Sequence, residues 1–103
     1  MSMERRCVVV TGASGNLGTV VVDRLQRAGA RVVGLTHKDA DLSDEAQVEA
    51  AYDKAQQRLG TLWGSVHCAG GWAGGPLAQT PLEVFERMID VNLRSTFLCC
   101  RAA

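Results

Sequence analysis

Val8-Val9-Val10-Thr11-Gly12-Ala13-Ser14-Gly15-Asn16-Leu17-Gly18 is the stretch that decides the fold. It runs from β-branched apolar residues, through three glycines spaced three apart, into a helical pattern that begins near Leu17. In a strand-turn-helix setting each glycine has its own role. Gly12 allows the tight turn, Gly15 lets a pyrophosphate approach the backbone, and Gly18 lets the helix pack on its strand. The helix start adds free N–H groups and the positive end of a dipole, which suit an anion. The stretch therefore reads as a dinucleotide site. The competing reading is a glycine-rich turn that binds nothing; the strand before it and the helix after it speak against that. Gly-x-x-Gly-x-x-Gly differs from the commoner Gly-x-Gly-x-x-Gly, so the turn does not carry the reading alone.

At 103 residues the chain holds one domain at most, a small one for a doubly wound sheet. Its hydrophobic fraction of 47% fits a globular core. The formal net charge is zero and no basic run occurs, which argues against nucleic acid and anionic membrane as partners. The apolar run Cys7 to Val10 is too short for a signal-peptide core or a membrane span. Cys7, Cys68, Cys99 and Cys100 form neither a Cys-x-x-Cys nor a metal-ligand spacing, so no metal site is expected. They are expected to be small buried hydrophobes in a reducing compartment, with a cytoplasmic location.

Taken in order, Arg6 to Thr11 is the first strand. The helix after it carries Leu17, Val20, Val21, Leu25 and Ala28 at helical spacing, and Gly29 sits where a terminating glycine belongs. Arg31 to Leu35 is a second strand, apolar enough to be buried on both faces. Ser43 or Asp44 caps a second helix whose apolar stripe is Val48, Ala51, Tyr52, Ala55 and Leu59, and Gly60 ends it. Trp63 to Cys68 is a third strand, weakened by Gly64 and Ser65. It leads into the glycine-dense loop Ala69-Gly70-Gly71-Trp72-Ala73-Gly74-Gly75-Pro76, placed where open α/β sheets bind ligands. Trp72 is expected either to lie on the sheet as a lid or to wall a substrate pocket. Thr80-Pro81-Leu82-Glu83 reads as a capping box with proline at the first helical position. Val84, Phe85, Met88 and Ile89 give that helix its buried face, and Phe97, Leu98 and Cys100 prolong it past a bend. The chain stops inside a helical pattern with no terminating signal, and the expectation is a truncated domain.

The end of the second strand selects the cofactor in this architecture. An acid there meets the ribose 2′-hydroxyl of NAD, and a cation accommodates the 2′-phosphate of NADP. The position falls on Thr36, followed by His37, Lys38 and Asp39. The absence of an acid at Thr36 leans toward NADP, although Asp39 is close enough in sequence to swing in.

Thr11-Gly12-Ala13-Ser14-Gly15-Asn16-Leu17-Gly18, Asp41-Leu42, His67-Cys68-Ala69-Gly70 and Val91-Asn92-Leu93 resemble, in order and rough spacing, the short-chain dehydrogenases/reductases. The resemblance covers essentially the whole chain and only the first part of a family member. It implies that Gly12, Gly15 and Gly18 line the pyrophosphate, with Ser14, Asn16 and Leu17 close by. It implies further that Asp41 and Leu42 meet the adenine. Cys68, Ala69 and Gly70 match the Asn-Ala-Gly part of the family's Asn-Asn-Ala-Gly turn beside the ribose. Asn92 matches the asparagine that kinks a helix and supports a water-linked proton path to the catalytic lysine; a helix bend alone is the other reading of Asn92. His67-Cys68 departs from Asn-Asn, and Trp63 stands where many members carry aspartate. The loop Ala69 to Gly75 also resembles dihydropteridine reductase, although Thr36 lacks the acid expected of that NADH user.

The family's serine and Tyr-x-x-x-Lys pair have no counterpart here. Tyr52, the one tyrosine, is followed four residues on by Gln56. These readings converge on an α/β fold, the N-terminal part of a Rossmann-type doubly wound parallel sheet, with residues 1–103 supplying the NAD(P)-binding half of one domain. The expected activity is hydride transfer between a nicotinamide and a small carbonyl or alcohol substrate by the complete protein, a homo-oligomer, with the 103 residues inactive alone. A pterin reductase and a non-catalytic dinucleotide sensor are the alternatives.

Overall fold

The middle strand of a three-stranded parallel sheet is β1 (Cys7–Thr11), flanked by β2 (Arg31–Leu35) and β3 (Gly64–His67), in a computed structural model that describes residues 2–103. Val9 pairs with Val33 on one side and Ser65 on the other. All five residues of β1 are buried. Because side chains alternate along a strand, β1 feeds two core layers. Cys7 and Val9 enter one with Val33, Leu35 and the stripe of α2 (Glu45–Leu59); Val8 and Val10 enter the other with Val21, Val22 and Leu25 of α1 (Asn16–Arg27). Each of the three buried β1 valines contributes about 1.5–3 kcal/mol of apolar burial. Helices thus cover both faces of a parallel sheet, the doubly wound arrangement.

The α2 stripe is as the spacing requires: Val48, Ala51, Tyr52, Ala55 and Leu59 are all buried. Asp44 is the cap, its carboxylate accepting the Gln47 N–H at 3.1 Å. Gly60, at φ 89°, ends the helix. Tyr52 does more than fill space. Its hydroxyl lies 2.7 Å from Ser65 Oγ, which lies 2.9 Å from His67 Nε2, so a polar chain links α2 to β3.

Other expectations are corrected. The inward face of α1 is rotated: Gly18 is buried, while Leu17 and Val20 are left 64% and 58% exposed and Ala28 is exposed too. A Cβ on Gly18 would collide with the Gly12 carbonyl, so close approach at the glycine, and not the largest apolar residues, sets the face. β2 is an outer strand and buries Val33 and Leu35 but leaves Gly34 exposed. Cys7 and Cys99 are buried as expected, whereas Cys68 is half-buried and Cys100 exposed; all four are free thiols.

The capping box at Thr80 does not form. Its hydroxyl donates to the Pro76 carbonyl at 3.0 Å, across the short turn Leu77–Gln79. The helix α3 (Leu82–Met88) starts instead from Pro81, whose carbonyl accepts the N–H groups of Val84 and Phe85. Val84 and Met88 are half-buried, but Phe85 and Ile89 are exposed, and with Leu82, Leu93 and Phe97 they form an apolar stripe facing away from the sheet. The expected bend is a π-helical turn over Ile89–Arg94, leading into α4 (Ser95–Ala102). Leu98 and Cys99 of α4 pack into the α2 layer. No helix among the described residues is long and apolar enough to cross a membrane.

Candidate functional site

The carboxyl ends of all three strands open on one cleft of about 510 Å³. Its first wall is the turn after β1. Gly12 has φ +65°, a conformation that favours glycine, and a Cβ there would come within 2.5 Å of the Ala69 nitrogen. The turn after β1 and the loop after β3 are therefore in direct contact. Thr11 joins them from below, its carbonyl accepting the Cys68 N–H at 3.1 Å and its hydroxyl accepting the Ala69 N–H at 3.4 Å. Ala13 N–H donates to the Leu35 carbonyl at 3.1 Å, which fixes the same turn to the end of β2.

Gly15 differs from its two partners. Its φ is −79°, open to any residue, and the nearest atom to a Cβ placed on it is the Gly12 carbonyl oxygen at 3.4 Å. Neither backbone conformation nor internal packing demands glycine there, yet it lines the cleft. Among the described residues, no group accepts the backbone N–H of Ser14, Asn16, Leu17 or Gly18. Those donors sit at the positive end of α1, Ser14 on the cleft and the other three just behind its rim, an arrangement suited to a bound phosphate. The residues thus fit a dinucleotide's pyrophosphate.

The second wall is the connection from β2 to α2. Thr36 and His37 line it, as do Asp41 and Leu42. The Asp41 carboxylate accepts from the Ser43 hydroxyl at 2.7 Å and from the Ser43 N–H at 3.0 Å. Those two donors hold its carboxyl below the usual aspartate range. The Asp41 N–H donates to Gln47 Oε1 at 2.8 Å, which ties this corner to the first turn of α2.

Cys68, Ala69 and Gly70 form the third wall. Behind them stands Asn92. Its Oδ1 accepts the Gly71 N–H at 3.1 Å, and its Nδ2 donates to the Gly71 carbonyl at 2.9 Å and to the Met88 carbonyl at 3.0 Å. Ala73 N–H is held by Met88 Sδ at 3.1 Å. The π-helical turn thus places one amide where it braces the loop, and the Asn92 side chain does not line the cleft. Trp72 is 86% exposed, its ring against Gly74, and neither lies on the sheet nor walls the cleft.

Gly12, Ser14, Gly15, Thr36, His37, Asp41, Leu42, Cys68, Ala69 and Gly70 are therefore gathered on one cleft, while Asn16, Leu17 and Gly18 lie behind its rim on α1. Sequence reasoning missed Leu35, Ala40, Ser43, Val91 and Ser95, which complete the lining. Ser43 was legible only as a cap. Ser95, buried and donating to the Val91 carbonyl at 2.8 Å, carries no signal that separates it from an ordinary core helix residue.

A family model described as "short chain dehydrogenase" matches residues 6–103. An uncharacterized oxidoreductase of Bacillus subtilis is 31% identical over 96% of this chain and 44% of its own length. The 2-dehydro-3-deoxy-L-rhamnonate dehydrogenase (NAD(+)) of a Sphingomonas species is 32% identical over 93% of this chain and 46% of its own length. The chain thus spans about half the length of the curated relatives it matches. Among solved structures, a Serratia marcescens short-chain dehydrogenase/reductase variant superposes with a TM-score of 0.93 at 27% identity, over 100% of this chain and 53% of the other. These similarities favour neither a dihydropteridine reductase nor a non-catalytic sensor.

Proposed function

The chain belongs to the short-chain dehydrogenase family, and from that premise we propose that it is the dinucleotide-binding half of an NAD(P)-dependent oxidoreductase acting on a small carbonyl or alcohol substrate. The observation that carries the reading is the convergence of three strand ends on one cleft, with the turn Gly12 to Gly15 at its wall and the unpaired N–H groups at the start of α1 just behind its rim. Bound there, the nicotinamide cofactor supplies the hydride.

This chain's residues bind and orient. The free N–H groups of Ser14, Asn16, Leu17 and Gly18 receive the pyrophosphate, and bare Gly15 lets it approach. Asp41 and Leu42 border the adenine, Thr36 and His37 the adenosine ribose, and Cys68 to Gly70 the neighbouring stretch of cofactor. Asn92 is assigned as a positioning residue, since its amide braces Gly71 and does not reach the cleft. Tyr52 is not the acid/base group: it is buried, hydrogen-bonded to Ser65, and burial pushes its phenol far above the usual range. The acid/base groups are assigned to residues outside this stretch, so residues 1–103 by themselves transfer no hydride.

The exposed stripe Leu82, Phe85, Ile89, Leu93 and Phe97 supports a homo-oligomer paired through this helical segment. The free thiols fit a reducing, cytoplasmic setting. The test is oxidation of NADH or NADPH by the full-length protein across a panel of aldehydes and ketones, read by loss of nicotinamide absorbance. Turnover of any member supports the proposal; inertness toward the panel, and toward alcohols with the oxidised cofactors, contradicts it.

A further inference from the structure

The turn leaving β2 is held by Asp39. Its Oδ2 accepts the Thr36 N–H at 2.6 Å and the Thr36 hydroxyl at 3.1 Å, and Thr36 Oγ1 in turn accepts the Lys38 N–H at 3.2 Å. The hydroxyl's single proton is committed to the carboxylate, so toward the cleft Thr36 Oγ1 offers only a lone pair. A ribose 2′-hydroxyl can donate to that atom. A 2′-phosphate dianion brings only acceptors and finds no donor in it.

The charges point the same way. Among the described residues, no lysine or arginine lines the cleft; its one carboxylate is Asp41 and its one imidazole is His37. Among the same residues, no cationic nitrogen lies within 4.0 Å of the Asp39 carboxylate. Lys54 and Arg58 line a separate groove of about 330 Å³ with Asp39, and neither lines the cleft. A phosphate at the end of β2 would therefore meet the Asp39 carboxylate one side chain away, with no lysine or arginine in the cleft lining to offset it.

We infer that Asp39, acting through Thr36, makes this an NAD(H)-preferring site; the inference rests on the dinucleotide reading of the cleft. It reverses the lean toward NADP drawn from the sequence. Thr36 is not an acid, but it carries the acid's hydrogen-bonding character at one remove. Asp39 is a positioning residue and touches no cofactor.

The test is fluorescence titration of the full-length protein and its Asp39→Asn variant with NADH and with NADPH. The variant keeps an oxygen to accept the Thr36 N–H but removes the charge. Wild type is expected to bind NADH at least about tenfold more tightly than NADPH, and Asp39→Asn to bring the two toward parity, chiefly by strengthening NADPH. A preference for NADPH in wild type overturns the inference, as does an unchanged ratio in the variant or an equal weakening of both cofactors. If wild type binds neither, the dinucleotide reading itself falls and takes this inference with it.

Discussion

Asn92 and Gly71 hold each other through two hydrogen bonds, the side-chain amide of one closing on the N–H and the carbonyl of the other at 3.1 and 2.9 Å. A third bond, to the Met88 carbonyl at 3.0 Å, places that amide in the π-helical turn. The helix irregularity and the loop after β3 are thus one unit, and the cleft wall at Cys68 to Gly70 is set by it.

Asn92→Ala removes all three bonds. The expected cost is about 1–2 kcal/mol in urea unfolding of the full-length protein, with a weakened cofactor complex. Asn92→Asp keeps the acceptor but loses the donor, so it falls between. Unchanged stability and unchanged binding in Asn92→Ala would leave Asn92 with no part in shaping the cleft.

Gly18 and Gly15 separate packing from binding. Gly18→Ala drives a Cβ into the Gly12 carbonyl, and a loss of at least about 1–3 kcal/mol in stability is expected. Gly15→Ala meets only a mild contact at 3.4 Å and should leave stability within about 0.5 kcal/mol. Thermal unfolding of the two variants, beside their cofactor affinities, checks the contrast. Loss of stability in Gly15→Ala would mean that this glycine serves the fold.

His67 gives stability a pH dependence. Burial lowers its pKa from 6.5, so the unfolded chain takes up a proton more readily than the folded one. Stability contributed by neutral His67 is complete above that value and lost as pH falls through it toward the folded pKa. Protonation also fixes Nε2 as a donor toward Ser65, whichever ring nitrogen carries the proton in the neutral form. The expected result is a urea midpoint that drops from pH 7 to pH 5, with the slope reduced in His67→Gln. The lowered Asp41 acts in a separate window, below 3.8.

The exposed stripe should govern assembly. Phe85→Glu together with Leu93→Glu is expected to shift the full-length protein to a smaller species in sedimentation velocity without lowering its unfolding temperature. An unchanged sedimentation coefficient would place the interface elsewhere.

The three strands and the α2 layer were legible because Val8 to Val10 form an unbroken β-branched run and the stripe from Val48 to Leu59 has one dominant periodicity. The face of α1 was not. Leu17 and Val20 outweigh Gly18 on any hydrophobic scale, but only a residue without Cβ admits the Gly12 carbonyl. Thr80 failed as a cap because the Pro76 carbonyl, four residues back, took its hydroxyl, a choice with no mark in the capping motif itself. Most of the cleft was readable as motif residues near glycines. Asp39, beside the cleft, was legible as an acid close enough to act, but its hold on Thr36 was not, because that depends on which way one carboxylate turns.

The central claim is that this cleft holds a dinucleotide with its pyrophosphate against Gly15 and the start of α1. Calorimetric titration of the full-length protein with NADH, beside its Gly15→Val variant, tests it most directly. Saturable binding of one dinucleotide per chain is expected, with a loss of about tenfold or more in affinity when the valine fills the approach. No saturable heat with either NADH or NADPH, or an affinity untouched by the valine, would contradict it.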